Sequence, residues 1–287
     1  MVISCKGLIH LTSGRNVLIT GASRGLGEAI AREFSRAGAN LILVARGGER
    51  LTALAEELGA FAMAADLSDP EAGAAVLRAA RERVERLDVL VNNAAMVGPI
   101  GKFWENDAAA WTETLQVNLL APAALMRGAI PWMGAGGGGV IVNLSGGGAT
   151  APRPNFSAYA TAKAGLVRLS ETLAVEAAEL GVRIHCVAPG AMNTEMLEAV
   201  LRAAPEAAGG EYGKAVVQKE KGGDDPAVAA RLIAFLASDE ARGVTGRLIS
   251  AKWDPWETMG TWGAELAGTD IYTLRRIVPE ERGKKFD

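Results

Sequence analysis

Short runs of aliphatic and β-branched residues alternate along the chain with longer stretches rich in Ala, Leu, Arg and Glu. The runs Asn16–Thr20, Asn40–Ala45, Phe61–Ala65, Asp88–Val91, Val140–Leu144, Val182–Ala188 and Arg247–Ser250 predict strands. The stretches Gly25–Ala37, Glu49–Leu58, Pro70–Arg86, Ala108–Met133, Ser157–Leu180 and Pro226–Ala237 predict helices. The central strands lack strong polar alternation, as strands covered on both faces do. Strand–helix alternation of this kind predicts an α/β chain: a doubly wound parallel sheet of about seven strands with helices on both faces.

No Pro-rich or charged linker splits the sequence, and no fixed period repeats. Residues 1–287 therefore read as one domain, with 251–287 as an extended C-terminal tail. Gly134–Gly139 predicts a flexible turn ahead of the Val140 strand. Met192–Asp225 is irregular and mixes helical pieces with glycines. The tail holds Trp253, Trp256 and Trp262, half of the six tryptophans. Such apolar bulk predicts an ordered tail that folds back near the substrate opening of its own or a partner subunit.

At 49% hydrophobic and 22% charged residues, the chain can bury a sizeable core and is not disordered. A net charge of −3 gives no global field to gather nucleic acid or an anionic membrane. The apolar runs stop well short of the ~18 residues a membrane helix needs, and Met1–Gly14 lacks the features of a secretory signal. Neither nucleic acid nor membrane is expected as a partner. Two cysteines, Cys5 and Cys186, offer no disulfide framework and suit a reducing cytoplasm. Two histidines, His10 and His185, cannot build a histidine-based metal cluster, so no metal is expected. His185 sits in an apolar run and reads as a strand residue.

Chemistry enters at Thr20-Gly21-Ala22-Ser23-Arg24-Gly25-Leu26-Gly27, which follows a strand and opens a helix. Glycines there allow positive φ and close approach of the backbone to a phosphate. The helix N-terminus offers free N–H groups and positive dipole to a pyrophosphate. The turn predicts a Rossmann-type dinucleotide site. At the end of the second strand, Val44-Ala45-Arg46 has no acidic residue for a ribose 2′-hydroxyl. Arg46, with Arg24 and Ser23, can instead meet a 2′-phosphate. NADP(H) is favoured, and NAD(H) stays possible.

Tyr159 and Lys163 are four residues apart in a predicted helix and project from one face. A neighbouring ammonium favours phenolate, so Tyr159 can protonate a developing alkoxide or deprotonate an alcohol.

The Gly21–Gly27 turn, Asp66, Asn92-Asn93-Ala94-Ala95, Asn118, Asn143-Leu144-Ser145, Tyr159 with Lys163, and Pro189-Gly190 with Thr194 occur in this order. Together they resemble the short-chain dehydrogenase/reductase family from about Asn16 to Ser250. The resemblance implies that the turn at Gly21, Gly25 and Gly27, with Leu26 inside it, holds the dinucleotide. It places Asp66 and Leu67 beside adenine, and Asn92 and Ala94 along the cofactor. Tyr159 would be the acid/base. Lys163 would bind nicotinamide ribose hydroxyls and tune Tyr159. Asn118 would hold a water of the proton relay. Pro189, Gly190 and Thr194 would position the nicotinamide amide. The helices Ala108–Met133 and Ser157–Leu180 carry the motifs of the family's dimer elements, which implies a homodimer or homotetramer.

One position departs from the pattern. The family's substrate-binding serine aligns with Gly146, inside Gly146-Gly147-Gly148. Either Ser145 takes the role through a flexible backbone, or the role is missing. Ser157, just ahead of Tyr159, reads as a helix N-cap. The leading expectation is hydride transfer between NADP(H) and a small-molecule carbonyl or alcohol. The alternatives are a nicotinamide-dependent epimerase and a catalytically weak dinucleotide-binding protein. The substrate is not readable. Its pocket is expected to draw on Gly147–Phe156, Met192–Asp225 and the tail.

Overall fold

The computed structural model describes residues 12–285; Cys5 and His10 lie outside them. Seven strands are described: β1 Asn16–Thr20, β2 Asn40–Ala45, β3 Phe61–Ala64, β4 Val89–Asn92, β5 Gly139–Leu144, β6 Val182–Ala188 and β7 Arg247–Ser250. They form one sheet in the order β3-β2-β1-β4-β5-β6-β7, and every neighbouring pair is parallel. The order reverses between β1 and β4. In an open α/β sheet, that switch leaves a crevice at the carboxyl ends of the two strands.

Side chains of successive strand residues go to opposite faces. Val17 and Ile19 of β1 join a core with α1 (Gly25–Arg36), α2 (Glu49–Leu58) and α10 (Pro226–Ala237). Leu18 joins the other core, with α3 (Ala72–Arg81), α5 (Ala121–Ala135) and α6 (Ser157–Glu176). Both faces of the central strands are thus apolar, which is why their sequences show no polar alternation. Arg183 of β6 reaches the end of α10, where its guanidinium donates to the carbonyls of Leu236 (2.9 Å), Ser238 (2.8 Å) and Ala241 (2.7 Å). A cation there complements the helix dipole.

Several boundaries differ from the expectation. The Pro70–Arg86 helix shrinks to Ala72–Arg81; its late start follows from Asp69, which takes the backbone N–H of Glu71 at 2.9 Å and closes a turn. The fourth strand is shifted one residue, to Val89–Asn92, and Gly139 is already strand rather than turn. The single helix expected over Ala108–Met133 is three pieces: α4 (Ala108–Leu115), a π turn over Gln116–Leu120, and α5. After Glu176 the chain tightens into a 3₁₀ turn, Ala178–Leu180.

The irregular stretch after β6 contains α7 (Glu195–Arg202), α8 (Ala204–Ala208) and α9 (Gly210–Lys221), which together form a lid. Asp224 clasps the two stems of this excursion. Its Oδ2 accepts from Ala191 N at 2.7 Å, its own N–H donates to Ala191 O at 2.8 Å, and its Oδ1 accepts from Lys252 Nζ at 2.6 Å.

The tail is packed on the chain's own fold. Trp256 and Met259 are buried in the α1/α10 core, with the Trp256 ring 6.2 Å from that of Phe235. The tail then runs along the open side of β7. Leu248 N donates to Tyr272 O at 2.9 Å, and Arg247 Nη1 donates to Thr269 O and Ile271 O, both at 2.9 Å. Leu274 N donates to Glu171 of α6 at 2.6 Å. Sheet edges left unpaired invite association, and covering them removes that hazard.

Candidate active site

The glycine turn sits at the carboxyl end of β1, in the crevice. Gly21 and Gly25 have φ of +65° and +58°, a region that disfavours side chains. At Gly27 a Cβ would stand 2.1 Å from Gly21 O, so only glycine lets α1 start this close to the turn. No side chain caps the start of α1, which leaves its first N–H groups free for an anion. This cradle fits a dinucleotide pyrophosphate.

Asn93 shapes the cradle. Its Nδ2 donates to Thr20 O (3.0 Å) and Gly21 O (3.1 Å), while Thr20 Oγ1 accepts from the N–H groups of Asn93 and Ala94, each at 3.1 Å. Asn93 belongs to the Asn92-Asn93-Ala94-Ala95 motif, and its part in holding the turn depends on contacts 72 and 73 residues away. Asn92, expected along the cofactor, turns its side chain into the core and donates to Asn143 Oδ1 at 2.8 Å. The Asn92 Oδ1 is buried and has no hydrogen-bond partner among the described residues. Ala94 and Leu67 pack together.

Arg46 is exposed at the end of β2. Asp66 is exposed too. The Ser68 N–H, the Ser68 hydroxyl and then the Arg46 charge hold its carboxyl below the usual range. Arg24 Nη1 lies 3.5 Å from Glu195 Oε2 of α7, with both side chains about half exposed. Thr194, at the start of α7, is the neighbour of Gly25, with its methyl 3.7 Å from where a Cβ would stand. Gly190 has φ +96°, and a Cβ there would stand 2.6 Å from Asp224 Oδ2. The Pro189–Thr194 segment therefore runs from the strand end over the phosphate turn.

Tyr159 and Lys163 are buried on α6. Lys163 Nζ donates to Leu144 O at 2.7 Å and lies 5.7 Å from the Tyr159 ring centroid. Burial pushes the Tyr159 phenol up to about 12, against the pull of the Arg153 charge. Burial also brings the Lys163 ammonium down to about 8. The phenol is thus a protonated donor at neutral pH. Asn118 lies in the π turn, a feature frequent at functional sites. Its Oδ1 accepts from Met96 N at 3.0 Å and its Nδ2 donates to Met96 O at 2.7 Å. This pair of bonds fixes the Asn118 side chain on the backbone of Met96.

Ser145 is buried, and its N–H extends the β5–β6 ladder to Val187 O at 2.8 Å. It is a strand-end residue, not part of a swinging segment. At Gly146 a Cβ would stand 2.2 Å from the Tyr159 hydroxyl. The phenol fills the volume a side chain at 146 would need. Ser157 is not an N-cap; its Oγ accepts from Trp111 Nε1 at 3.1 Å. Phe156 and Tyr159 pack against Leu197, Val200, Ala208 and Ala215 of the lid.

Arg153 and Glu211 lie inside the two stretches expected to line the pocket, but neither is marked out there by its residue type. Arg153 Nε donates to Glu211 Oε2 at 2.9 Å, beside Tyr159. Arg153 stands out only as a charge between two prolines close ahead of Tyr159, and nothing local links it to Glu211. Among the described residues no three His, Cys, Asp or Glu side chains gather to hold a metal ion. No helix there is long and apolar enough to cross a membrane.

Residues 15–204 match the family model described as short chain dehydrogenase. The chain is 37% identical over 244 residues to oxidoreductase UcpA of Escherichia coli (strain K12), covering 82% of this chain and 91% of that protein. It is 34% identical over 243 residues to cis-4-hydroxycyclohexanecarboxylate dehydrogenase of Sinomonas cyclohexanicum, covering 82% and 94%. Among solved structures, L-sorbose reductase from Gluconobacter frateurii, complexed with NADPH and L-sorbose, aligns with a TM-score of 0.73 at 30% identity, covering 84% of this chain and 96% of that one.

Proposed function

The chain belongs to the short-chain dehydrogenase/reductase family of oxidoreductases, and from that premise we propose that it interconverts a carbonyl and an alcohol with NADP(H), Tyr159 moving the proton. The observation that carries this reading is the pair on α6: a buried phenol at the strand ends, with Lys163 anchored on Leu144 O one turn away. A bound nicotinamide supplies the hydride to the carbonyl carbon in reduction and accepts it in oxidation.

Gly21 to Gly27, with the free start of α1, hold the pyrophosphate. Arg46, Asp66, Leu67 and Ala94 line the adenosine end, and Pro189, Gly190 and Thr194 the nicotinamide end. As the carbon–oxygen π pair moves to oxygen, that oxygen takes the Tyr159 proton. Lys163 stabilises the phenolate left behind. Ser145, fixed at the end of β5 next to Gly146, takes the polarising role from its place in the ladder, without the swing of a flexible backbone. Ala45 at the end of β2 offers no carboxylate to a ribose 2′-hydroxyl, and Arg46 next to it favours the 2′-phosphate of NADP(H). Leu120 and Val175, exposed on the π turn and α6, support a homodimer or homotetramer built through these elements. A reducing cytoplasm suits the buried free thiol of Cys186.

The named substrates of relatives differ: a hydroxycyclohexanecarboxylate for one and L-sorbose for another. They share only the alcohol or ketone carbon. The test is NADPH absorbance with a carbonyl panel, together with NADPH and NADH titrations. Tyr159→Phe is expected to lose about 10²-fold or more in turnover while still binding NADPH, and Ser145→Ala reports the polarising role. Full turnover in Tyr159→Phe overturns the mechanism, and tighter binding of NADH overturns the cofactor choice.

A further inference from the structure

Arg153 lies across the glycine triplet beside Tyr159. A Cβ on Gly147 would stand 3.6 Å from its Nη1, and one on Gly148 would stand 3.2 Å from its Cβ. Its Cζ sits 4.1 Å from the Phe156 ring centroid and 5.7 Å from that of Tyr159. The side chain is 19% exposed. Nε is taken by Glu211, whereas Nη1 and Nη2 make no hydrogen bond among the described residues. The second oxygen of Glu211 accepts from Lys214 Nζ at 2.7 Å, so Arg153, Glu211 and Lys214 together keep one net positive charge.

The guanidinium is paired through Nε, and its two terminal nitrogens keep access to solvent, where an anion can take them. Its planar fork matches the two oxygens of a carboxylate. Gly147 and Gly148 let the Arg153 side chain lie against the chain, and Val97, Ile100, Leu197 and Val200 belong to the apolar cluster of Phe156 and Tyr159 next to it.

We propose that Arg153 determines substrate specificity by receiving a carboxylate, so that the substrate is an oxo acid, or the matching hydroxy acid, whose reacting carbon is presented to Tyr159. The proposal rests on the oxidoreductase reading above. The carboxylate itself does not react. The ketone π bond breaks, a C–H bond forms with hydride from the nicotinamide dinucleotide, and an O–H bond forms with the Tyr159 proton. The ketone is reduced as the dinucleotide is oxidised.

The experiment compares kcat/KM for oxo acids, phenylpyruvate among them, with that for their methyl esters, in wild type, Arg153→Met and Glu211→Gln, after thermal melts confirm folding. The wild type should favour acids by about 10–100-fold, the range of hydrogen bonds to charged groups. That ratio should fall toward one in Arg153→Met and persist in Glu211→Gln, where the guanidinium remains. Equal ratios in wild type and Arg153→Met, or a parallel loss in Glu211→Gln, would make Arg153 a lid latch and overturn the proposal. Calorimetry with oxamate and its neutral amide, on protein saturated with NADPH, gives a readout apart from turnover. Oxamate binding that disappears in Arg153→Met supports the carboxylate site; equal binding of the amide overturns it. If oxamate binds through Arg153 but no carbonyl compound oxidises NADPH, the oxidoreductase reading fails and the carboxylate site stands.

Discussion

The Tyr159 hydroxyl and a side chain at position 146 compete for one volume. With 2.2 Å between the phenol oxygen and a Cβ on Gly146, a serine restored there cannot coexist with the phenol as placed. Gly146→Ser is therefore expected to reduce kcat, by tenfold or more on the order expected for a displaced acid/base group, rather than to repair a missing donor. Steady-state kinetics on the variant check this, and a gain in kcat would show that the phenol yields easily. The glycine was visible in the sequence as a departure. Its meaning was not, because the clash depends on a helix that starts eleven positions later and folds back. Arg153 was hidden for a related reason: its partner Glu211 is 58 residues away, and no local spacing joins them.

At the scale of elements, the strand–turn–helix at Thr20–Gly27 was legible because its parts are local. A run of β-branched residues, three glycines and an amphipathic stretch need no distant partner to be read. The 2.1 Å approach of a Cβ at Gly27 to Gly21 O makes this element sensitive to one methyl. Gly27→Ala should lower stability by roughly 1–3 kcal/mol, the usual cost of overpacking, and weaken NADPH binding at least about tenfold by spoiling the cradle. Denaturant melts and a fluorescence titration test both; native NADPH affinity would mean that α1 can shift without loss. The π turn at Gln116–Leu120 was not legible. One extra residue per turn changes no residue type, and the turn is tied down by Asn118 bonding to Met96 of another segment. The lid helices were blurred by Gly209 and Gly210 and by the positive φ of Ala204, +61°, which breaks the period between α7 and α9.

For the whole molecule, the parallel sheet of about seven strands and its two buried faces were legible in strands that are apolar throughout, whereas the strand order depends on crossovers that no apolar run encodes. The same pattern hides a pH liability in the core. His185 of β6 is fully buried, and neither ring nitrogen has a partner among the described residues. Burial, then the Arg183 charge, keeps its pKa well below the ordinary 6.5. The folded state holds the ring neutral, whereas the unfolded chain takes up a proton near 6.5. More protons bind the unfolded state as pH falls, so this contribution to stability is full above that value and is lost below it. The melting temperature should drop between about pH 7 and 5, and His185→Leu should flatten that drop. An identical slope in the variant would place the acid sensitivity elsewhere.

The covering of β7 by the tail has a consequence in time as well as in space. The residues that close this edge, Leu266 to Leu274, follow β7 in the chain, so the ribosome releases the strand before its cover. Domains fold vectorially as they emerge, and unpaired strand edges are the sticky part of the intermediates. During that interval the nascent chain carries an open strand beside the Phe235 surface that Trp256 will later fill. A stalled or prematurely terminated message would prolong the interval indefinitely. Its product would be a nearly finished sheet with an adhesive margin, a substrate for chaperones and proteases rather than a slightly shorter enzyme.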